Sequence, residues 1–284
     1  MDMLSDALFE LIRKAVVDLP EDVELAIKKA RNKEKNERAK TILDNILENV
    51  ELARVESTPI CQDTGVLVFY VRYGTVLDKK RVDESIVKAV QKATGEALLR
   101  PNIVHPLTRK NSGNNIGVDT PIVYYEYVKG MDYLEVAVLP KGAGSENTST
   151  LGMLDPARGV EGVEEFIVDS IKKAGGKPCP PTVVGVGIGG SSDKAMYLAK
   201  KALLRDIGSH NPDKEYSDLE RRLYGRINEL GVGPMGVGGD TTCLAVHVED
   251  ADCHTASLPV AVNPQCWAAR KAEARIYEKE IIFL

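Results

Sequence analysis

The chain has 284 residues, of which 43% are hydrophobic and 28% charged, and its formal net charge is -5. This composition is typical of a folded globular protein and excludes a disordered one. A negative net charge without a basic stripe argues against broad nucleic-acid binding. The N-terminal segment lacks the basic start of a secretory signal, and no apolar run reaches the roughly 20 residues of a membrane span, so we expect a cytoplasmic protein.

The first half of the chain predicts helices, followed by a mixture of strands, a helix and loops. Residues 3–55 carry apolar positions at helical spacing and predict two or three amphipathic helices. A β-rich stretch at 65–74 and a helix at 81–100 follow, and then a loop rich in Pro, Asn and Gly from Pro101 to Val118. The next two segments, TPIVYYEYV and MDYLEVAVLP, predict an antiparallel hairpin, with KGAGSENTS as a loop after it.

The second half mixes strands and helices without strict alternation. The predicted order is helix, strand, helix, helix, glycine-rich segment and strand: ARGVEGVEEFIVDSIKKAG, PTVVGVGIGG, SSDKAMYLAKKALL, YSDLERRLYGRINEL, GVGPMGVGGD and TTCLAVHVE. We therefore predict a mixed α/β fold of two closely packed lobes, not a regular Rossmann sheet. It forms one domain over residues 1–284, with the helical segment 1–55 packed on it.

Three of the five cysteines lie in loops next to Pro or Gly: Cys61 in PICQDTG, Cys179 in GGKPCPP and Cys266 in VNPQCWAAR. An odd, scattered set without a CxxC pair makes a disulfide framework or a zinc finger improbable. A lone cysteine is most often simply buried, and Cys243 in the strand-like TTCLAV fits that interpretation. Thiolates in loops can instead bind iron, so a cluster assembled from distant segments is a hypothesis that spacing alone does not prove.

Two sets of polar residues could serve such a site. Three thiolates on a four-iron cluster leave one iron to act as a Lewis acid, and hydration chemistry further needs a proton-transfer group and cations for carboxylates. Gln62 and Asp63 adjoin Cys61, and His254 lies in a loop that leads towards Cys266. His254 could equally be a surface or core histidine.

Cationic side chains that could bind substrate carboxylates lie at the start of the Pro101–Val118 loop and within it. Arg100, Arg109 and Lys110, with the residues from Asn111 to Asn115, offer charge-assisted hydrogen bonds. A solvated surface loop is the plainer interpretation.

Gly185, Gly187 and Gly190 form a GxGxxG pattern between a strand and a helix, which is the context of a dinucleotide fingerprint. A regular βαβ unit is missing, because Asp206 follows a helix without a clear strand. A tight turn capped by Ser191, or a helix N-terminus that binds a carboxylate, are the alternatives.

Five motifs together carry a resemblance to a known family: PICQDTG, KGAGSEN, GIGGSSDKA, GVGPMGVGGDTTCLAV and HTASLPVAVNPQCWAAR. The chain resembles the α subunit, or N-terminal domain, of class I fumarases and L-tartrate dehydratases over nearly its whole length. The resemblance implies a hydro-lyase with an oxygen-labile [4Fe-4S] cluster on Cys61, Cys179 and Cys266. It also implies a separate β subunit, an α2β2 heterotetramer, and a reaction of the tricarboxylic acid cycle.

The resemblance further implies which residues contact the substrate. Matching positions are Gln62, Asp63, Arg100, Gly144 and His254, of which Asp63 and His254 are the catalytic candidates. Fumarate with (S)-malate is the expected substrate pair, and tartrate is the alternative within the family. A dinucleotide-binding oxidoreductase and a non-catalytic metal scaffold are the alternatives from other classes.

Overall fold

A computed structural model describes residues 3–75, 78–278 and 280–284. The chain divides into two compact units. Unit 1 contains the N-terminal residues up to Pro20, Asn49–Gly142 and Arg270–Leu284, and unit 2 contains Glu21–Glu48 and Ala143–Ala269. The predicted helical segment 1–55 is therefore divided between the two units, and a single domain over 1–284 stays a prediction.

The described residues contain eight α-helices and nine strands. The helices are α1 Met3–Val17, α2 Glu21–Lys33, α3 Glu37–Glu56, α4 Lys79–Gly95, α5 Ala143–Glu146, α6 Gly159–Ala174, α7 Ser192–Lys201 and α8 Lys214–Asn228. The strands are β1 Val66–Tyr73, β2 Ile122–Tyr127, β3 Leu134–Lys141, β4 Thr150–Leu154, β5 Thr182–Gly189, β6 Cys243–Ala251, β7 Leu258–Gln265, β8 Ala272–Ile276 and β9 Ile281–Phe283. No described helix combines the length and the apolar character that a membrane crossing requires.

Unit 1 is built on a five-stranded sheet in the order β2-β1-β3-β8-β9. Helices α1 and α4 place their apolar stripes on one face of it, and Leu8, Phe69 and Val136 are among the fully buried residues of that core. Asp78 starts α4 by accepting a hydrogen bond from the backbone N–H of Arg81 at 3.0 Å.

The predicted hairpin between TPIVYYEYV and MDYLEVAVLP is wrong. These segments form β2 and β3, but β1 lies between them, parallel to β2 and antiparallel to β3. Its sequence VLVFYVRY buries both of its faces for five residues, so β1 takes a central position and separates the chain neighbours. The predicted loop KGAGSENTS also begins with one helical turn, α5.

Unit 2 is built on a four-stranded sheet in the order β4-β7-β5-β6. Helices α6 and α8 pack on one face through an apolar core that includes Ile167, Val184 and Leu223. Helix α7 covers the other face, where Ala195 and Ala199 meet Ala261. The mixed α/β prediction is confirmed.

One feature of unit 2 contradicts the sequence interpretation. Strands β5 and β6 are parallel neighbours, and α7 and α8 form the crossover between them. The sequence does not indicate this unit, because a second helix and the glycine-rich residues 231–239 separate α7 from β6. The fold therefore contains a strand–helix–helix–strand crossover inside an otherwise mixed sheet.

Candidate active site

Cys61 lies in unit 1, in the loop between α3 and β1, which we call the 61–65 loop. The residue before it is fixed by two hydrogen bonds: Ile60 N donates to Val16 O at 3.0 Å, and Asn49 Nδ2 donates to Ile60 O at 2.9 Å. Cys61 is half-buried and Gln62 is exposed. The backbone entering the loop is held while the two side chains remain accessible.

The end of the same loop is packed against β3. Gly65 has φ +78°, and a Cβ there would lie 2.7 Å from the backbone of Lys141, so only glycine fits. Gly65 N donates to Asp63 Oδ1 at 3.0 Å. The buried Thr64 hydroxyl accepts from Arg100 N at 3.0 Å. Unit 1 therefore brings Arg100 to the loop that carries Cys61, Gln62 and Asp63.

The loop that follows Arg100 is ordered by an asparagine rather than by its cations. Asn115 is 7% exposed, and its amide donates to Arg100 O at 2.9 Å and accepts from Asn102 N at 2.8 Å. Arg109 and Lys110 are exposed. Asn115 is thus a structural residue of this loop, which is tied to the 61–65 loop through the backbone N–H of the exposed Arg100 and through Asn102 Nδ2, a donor to Thr64 Oγ1 at 3.3 Å.

Cys179 and Cys266 lie together in unit 2, at the end of the sheet where β5 begins and β7 ends. Trp267 N donates to Cys179 O at 3.0 Å, which joins the two cysteine segments. Cys179 has φ +55°, a left-handed conformation that non-glycine residues adopt at a cost of about 1–3 kcal/mol. The Cys266 thiol donates to Ala268 O at 3.7 Å. Both thiols are half-buried.

Gly144 lies beside the same pair. A Cβ at Gly144 would be 3.3 Å from Lys177 O, two residues before Cys179. The next residue, Ser145, donates from its hydroxyl to Gln265 Oε1 at 3.4 Å, directly before Cys266. Unit 2 therefore brings three of the predicted positions together.

His254 is placed elsewhere in unit 2. It lies in the exposed turn between β6 and β7, and its Nδ1 accepts from Ala256 N at 3.1 Å. The eight residues of β7 separate this turn from Cys266, a distance of roughly 26 Å at about 3.3 Å per residue. Strand β7 therefore lies between the His254 turn and Cys266, where the sequence predicts a loop that leads towards Cys266. A role for His254 in proton transfer stays a prediction, because unit 2 alone does not bring His254 close to Cys266.

The glycines of the GxGxxG pattern have a packing role in this fold. Gly185 and Gly187 lie inside β5, and a Cβ on either would be 2.0 Å from a backbone oxygen of α7. A dinucleotide fingerprint instead needs its glycines in the turn, where a pyrophosphate can approach the backbone. Gly189 and Gly190, with φ +85° and +67°, make the turn into α7. The geometry favours the tight-turn interpretation, but the predicted cap by Ser191 is wrong, because its hydroxyl donates to Asp193 Oδ1 and makes no capping bond to the helix backbone.

Sequence reasoning missed one residue, Arg270. Its side chain is 1% exposed, and Nη2 donates to the main-chain oxygen of Asp63 at 2.8 Å. Within the part of the chain that the structure describes, Nε and Nη1 are buried without an acceptor. The signal was its place in CWAAR, four residues after Cys266.

Comparison with known proteins identifies the chain. The family model for fumarate hydratase (Fumerase) matches residues 5–275. The chain belongs to the fumarate hydratase family. This confirms the resemblance drawn from the five motifs, and the family's hydratase chemistry makes the chain a member of a hydro-lyase family.

Three relatives of this family illustrate the match. A protein of Methanocaldococcus jannaschii named putative L(+)-tartrate dehydratase subunit alpha is 49% identical over 277 residues, covering 96% of this chain and 97% of the relative. The Escherichia coli L(+)-tartrate dehydratase subunit alpha is 36% identical, with 91% and 86% covered. A putative fumarate hydratase class I of Geobacillus stearothermophilus is 35% identical, with 97% of this chain but 55% of the relative covered.

An iron–sulfur group, as class I fumarate hydratases use, can be tested against the residues present. Among the described residues, no three His, Cys, Asp or Glu side chains form a site for a single metal ion. A four-iron cluster has a different requirement, because each thiolate binds its own iron and the ligands lie further apart. Half-buried loop thiols suit such a ligand set, and the buried Arg270 guanidinium beside the 61–65 loop suits an anion. The donor chemistry fits the group.

Proposed function

We propose that this chain is the α subunit of a [4Fe-4S] hydro-lyase that reversibly hydrates fumarate to (S)-malate. The observation that carries the proposal is the joining of the Cys179 and Cys266 segments in unit 2, with Cys179 held in a left-handed conformation. Strained backbone at a non-glycine residue clusters at functional sites. A reducing cytoplasm suits an oxygen-labile cluster, so we keep that location in the proposal.

Cys61, Cys179 and Cys266 are the proposed ligands. When bound, the cluster supplies a Lewis acid, since three thiolates leave one of its four irons without a protein ligand. Cys243 is excluded as a ligand because it is completely buried in β6, and burial raises the pKa of its thiol well above the ordinary value. Cys253 is exposed, and its thiol donates to Ser257 O at 3.1 Å.

The remaining residues handle the substrate and its proton. Gln62 and Arg100 offer hydrogen-bond donors to carboxylates, and Arg100 also brings charge. Gly144 offers a backbone N–H at a position where a side chain would crowd Lys177 O. Asp63 is our candidate for proton exchange on the substrate carbon: its Oδ1 accepts from Gly65, and its Oδ2 lies against Gly142.

A separate β subunit completes the proposal. Two relatives of similar length are named subunits alpha, whereas this chain spans only 55% of the fumarate hydratase relative. We propose an α2β2 heterotetramer in which the β subunit supplies further substrate contacts. His254 keeps its proposed role in proton transfer only if the assembly brings its turn to the thiolates.

L(+)-tartrate is the second candidate substrate, because the relatives that match this chain over most of their own length are named tartrate dehydratase subunits. Tartrate differs from malate by one hydroxyl. The same Lewis acid and carboxylate contacts serve both, so only an assay distinguishes them.

The test is anaerobic reconstitution of the chain with iron and sulfide, followed by assays of fumarate, malate and both tartrate enantiomers with and without the β subunit. Cys61→Ala, Cys179→Ala and Cys266→Ala should each lose most of the bound iron and all hydratase activity. Cys243→Ala and Cys253→Ala are the matched controls and should retain both. Full cluster content in the first three variants refutes the ligand set. Tight NAD binding, or a fully ligated metal without hydratase activity, refutes the hydro-lyase.

A further inference from the structure

Arg270 is the largest fully buried side chain among the described residues. One nitrogen, Nη2, is bonded to Asp63 O at 2.8 Å. The single N–H of Nε and the two of Nη1 have no acceptor in the part of the chain that the structure describes. A guanidinium stays protonated at every physiological pH, so a full positive charge is buried with most of its donors unused.

Two other buried charges in the described chain, Glu164 and Glu220, are paired with arginines, and a third, Glu34, accepts from backbone N–H groups. Glu164 accepts from Arg222 at 2.7 Å and Arg226 at 2.8 Å, and Glu220 accepts from Arg205 at 2.7 Å. A buried charge without a partner is strongly destabilising, whereas a paired one is tolerated. Arg270 departs from this pattern, which indicates that its partner is a group outside the described residues.

The position of Arg270 indicates which anion this is. Its one bond is to the residue two positions after Cys61, and Arg270 itself follows Cys266 by four residues. A guanidinium that is 1% exposed suits a resident anion better than one that exchanges with solvent. A cluster on three thiolates is anionic, and its sulfurs accept hydrogen bonds that tune its potential.

We propose that Arg270 is the internal counter-ion of the cluster, donating from Nε and Nη1 to cluster or thiolate sulfur. The inference rests on the proposed function and adds a positioning residue to it. Because hydrogen bonds and positive charge favour the reduced, more negative cluster, Arg270 raises the reduction potential.

The first test is the stability of the cluster-free chain. Arg270→Met removes the unpaired charge and keeps an apolar stem, so its thermal midpoint should equal or exceed that of the wild type without cluster. With cluster bound, the order should reverse. Arg13→Met, which removes a half-exposed cation paired with Glu10 at 2.8 Å, controls for the change in net charge.

The second test is the potential of the reconstituted protein. Arg270→Met should weaken cluster reduction at least tenfold, which lowers the reduction potential by about 59 mV for a one-electron couple. The potential of Arg270→Lys should fall between those of Arg270→Met and the wild type. The potential of Arg13→Met should match that of the wild type. An unchanged potential in Arg270→Met overturns the inference. An equal loss of stability in Arg270→Met with and without cluster also overturns it, because the bond from Arg270 to Asp63 is then purely structural. An unchanged potential with weakened malate binding assigns the anion to the substrate carboxylate and also overturns it. Failure of the wild type to bind a cluster refutes the proposed function itself.

Discussion

Replacing Gly187 by alanine puts a methyl group where α7 contacts β5. The new Cβ would lie 2.0 Å from Ala195 O, 2.7 Å from Ala199 N and 2.9 Å from Leu198 Cβ. Ordinary contact begins near 3.4 Å, so the helix backbone has to move by roughly 1.4 Å. Overpacking of this kind costs about 1–3 kcal/mol. Since two of the three contacts are backbone atoms that no rotamer change can relieve, we expect a loss near 3 kcal/mol.

The assay is thermal unfolding of the cluster-free chain. At about 2–4 °C per kcal/mol for a chain of this size, Gly187→Ala should lower the midpoint by roughly 6–12 °C. Gly225→Ala is the matched control: it lies in α8 with nothing within 4 Å of its Cβ position, and it should gain about 0.5–1 kcal/mol. A thermal midpoint of Gly187→Ala equal to that of the wild type refutes the packing role. The packing role is also refuted by a wild type that binds NAD and a Gly187→Ala variant that does not.

Three further predictions concern unit 2. Glu164→Ala, which removes a buried carboxylate that accepts hydrogen bonds from two partly exposed arginines, should cost about 1–3 kcal/mol in urea unfolding, whereas Glu165→Ala at an exposed ion pair should cost less than about 1 kcal/mol. In the folded apoprotein, iodoacetamide should modify Cys253 readily and leave Cys243 intact, because burial raises the pKa of Cys243; peptide mass spectrometry checks this, and equal labelling contradicts it. Burial also raises the pKa of Glu249, so the stability that this group contributes is fully present below the ordinary carboxyl pKa and is lost as pH rises through the raised pKa; Glu249→Gln should flatten this decline, and parallel curves of stability against pH would contradict it.

Local patterns in the sequence predicted individual elements well, and pairings poorly. The helical spacing in residues 3–55 gave three helices, and PTVVGVGIGG gave a strand. The β2–β3 hairpin failed because adjacency in the chain says nothing about β1, a distant segment apolar enough to take the central position between them. The parallel pairing of β5 with β6 was missed because the connection between the two strands includes two helices.

For the site, chemistry could be predicted from residue types and geometry could not. The flanking Pro and Gly residues marked the loops of Cys61, Cys179 and Cys266 as candidates for ligands. His254 was linked to Cys266 by sequence proximity, but an extended strand turns a short sequence separation into a long distance. Arg270 was missed because burial of a cation follows from packing, which sequence alone does not specify.

The central claim is that three cysteines hold a four-iron cluster and leave one iron for the substrate. Mössbauer spectroscopy of the reconstituted, iron-57-labelled α subunit with its β subunit tests this directly, by comparing spectra with and without malate. We predict that about a quarter of the iron signal changes on malate addition, because one iron in four lacks a protein ligand. Four irons that are all unaffected by malate, fumarate and tartrate would contradict the account.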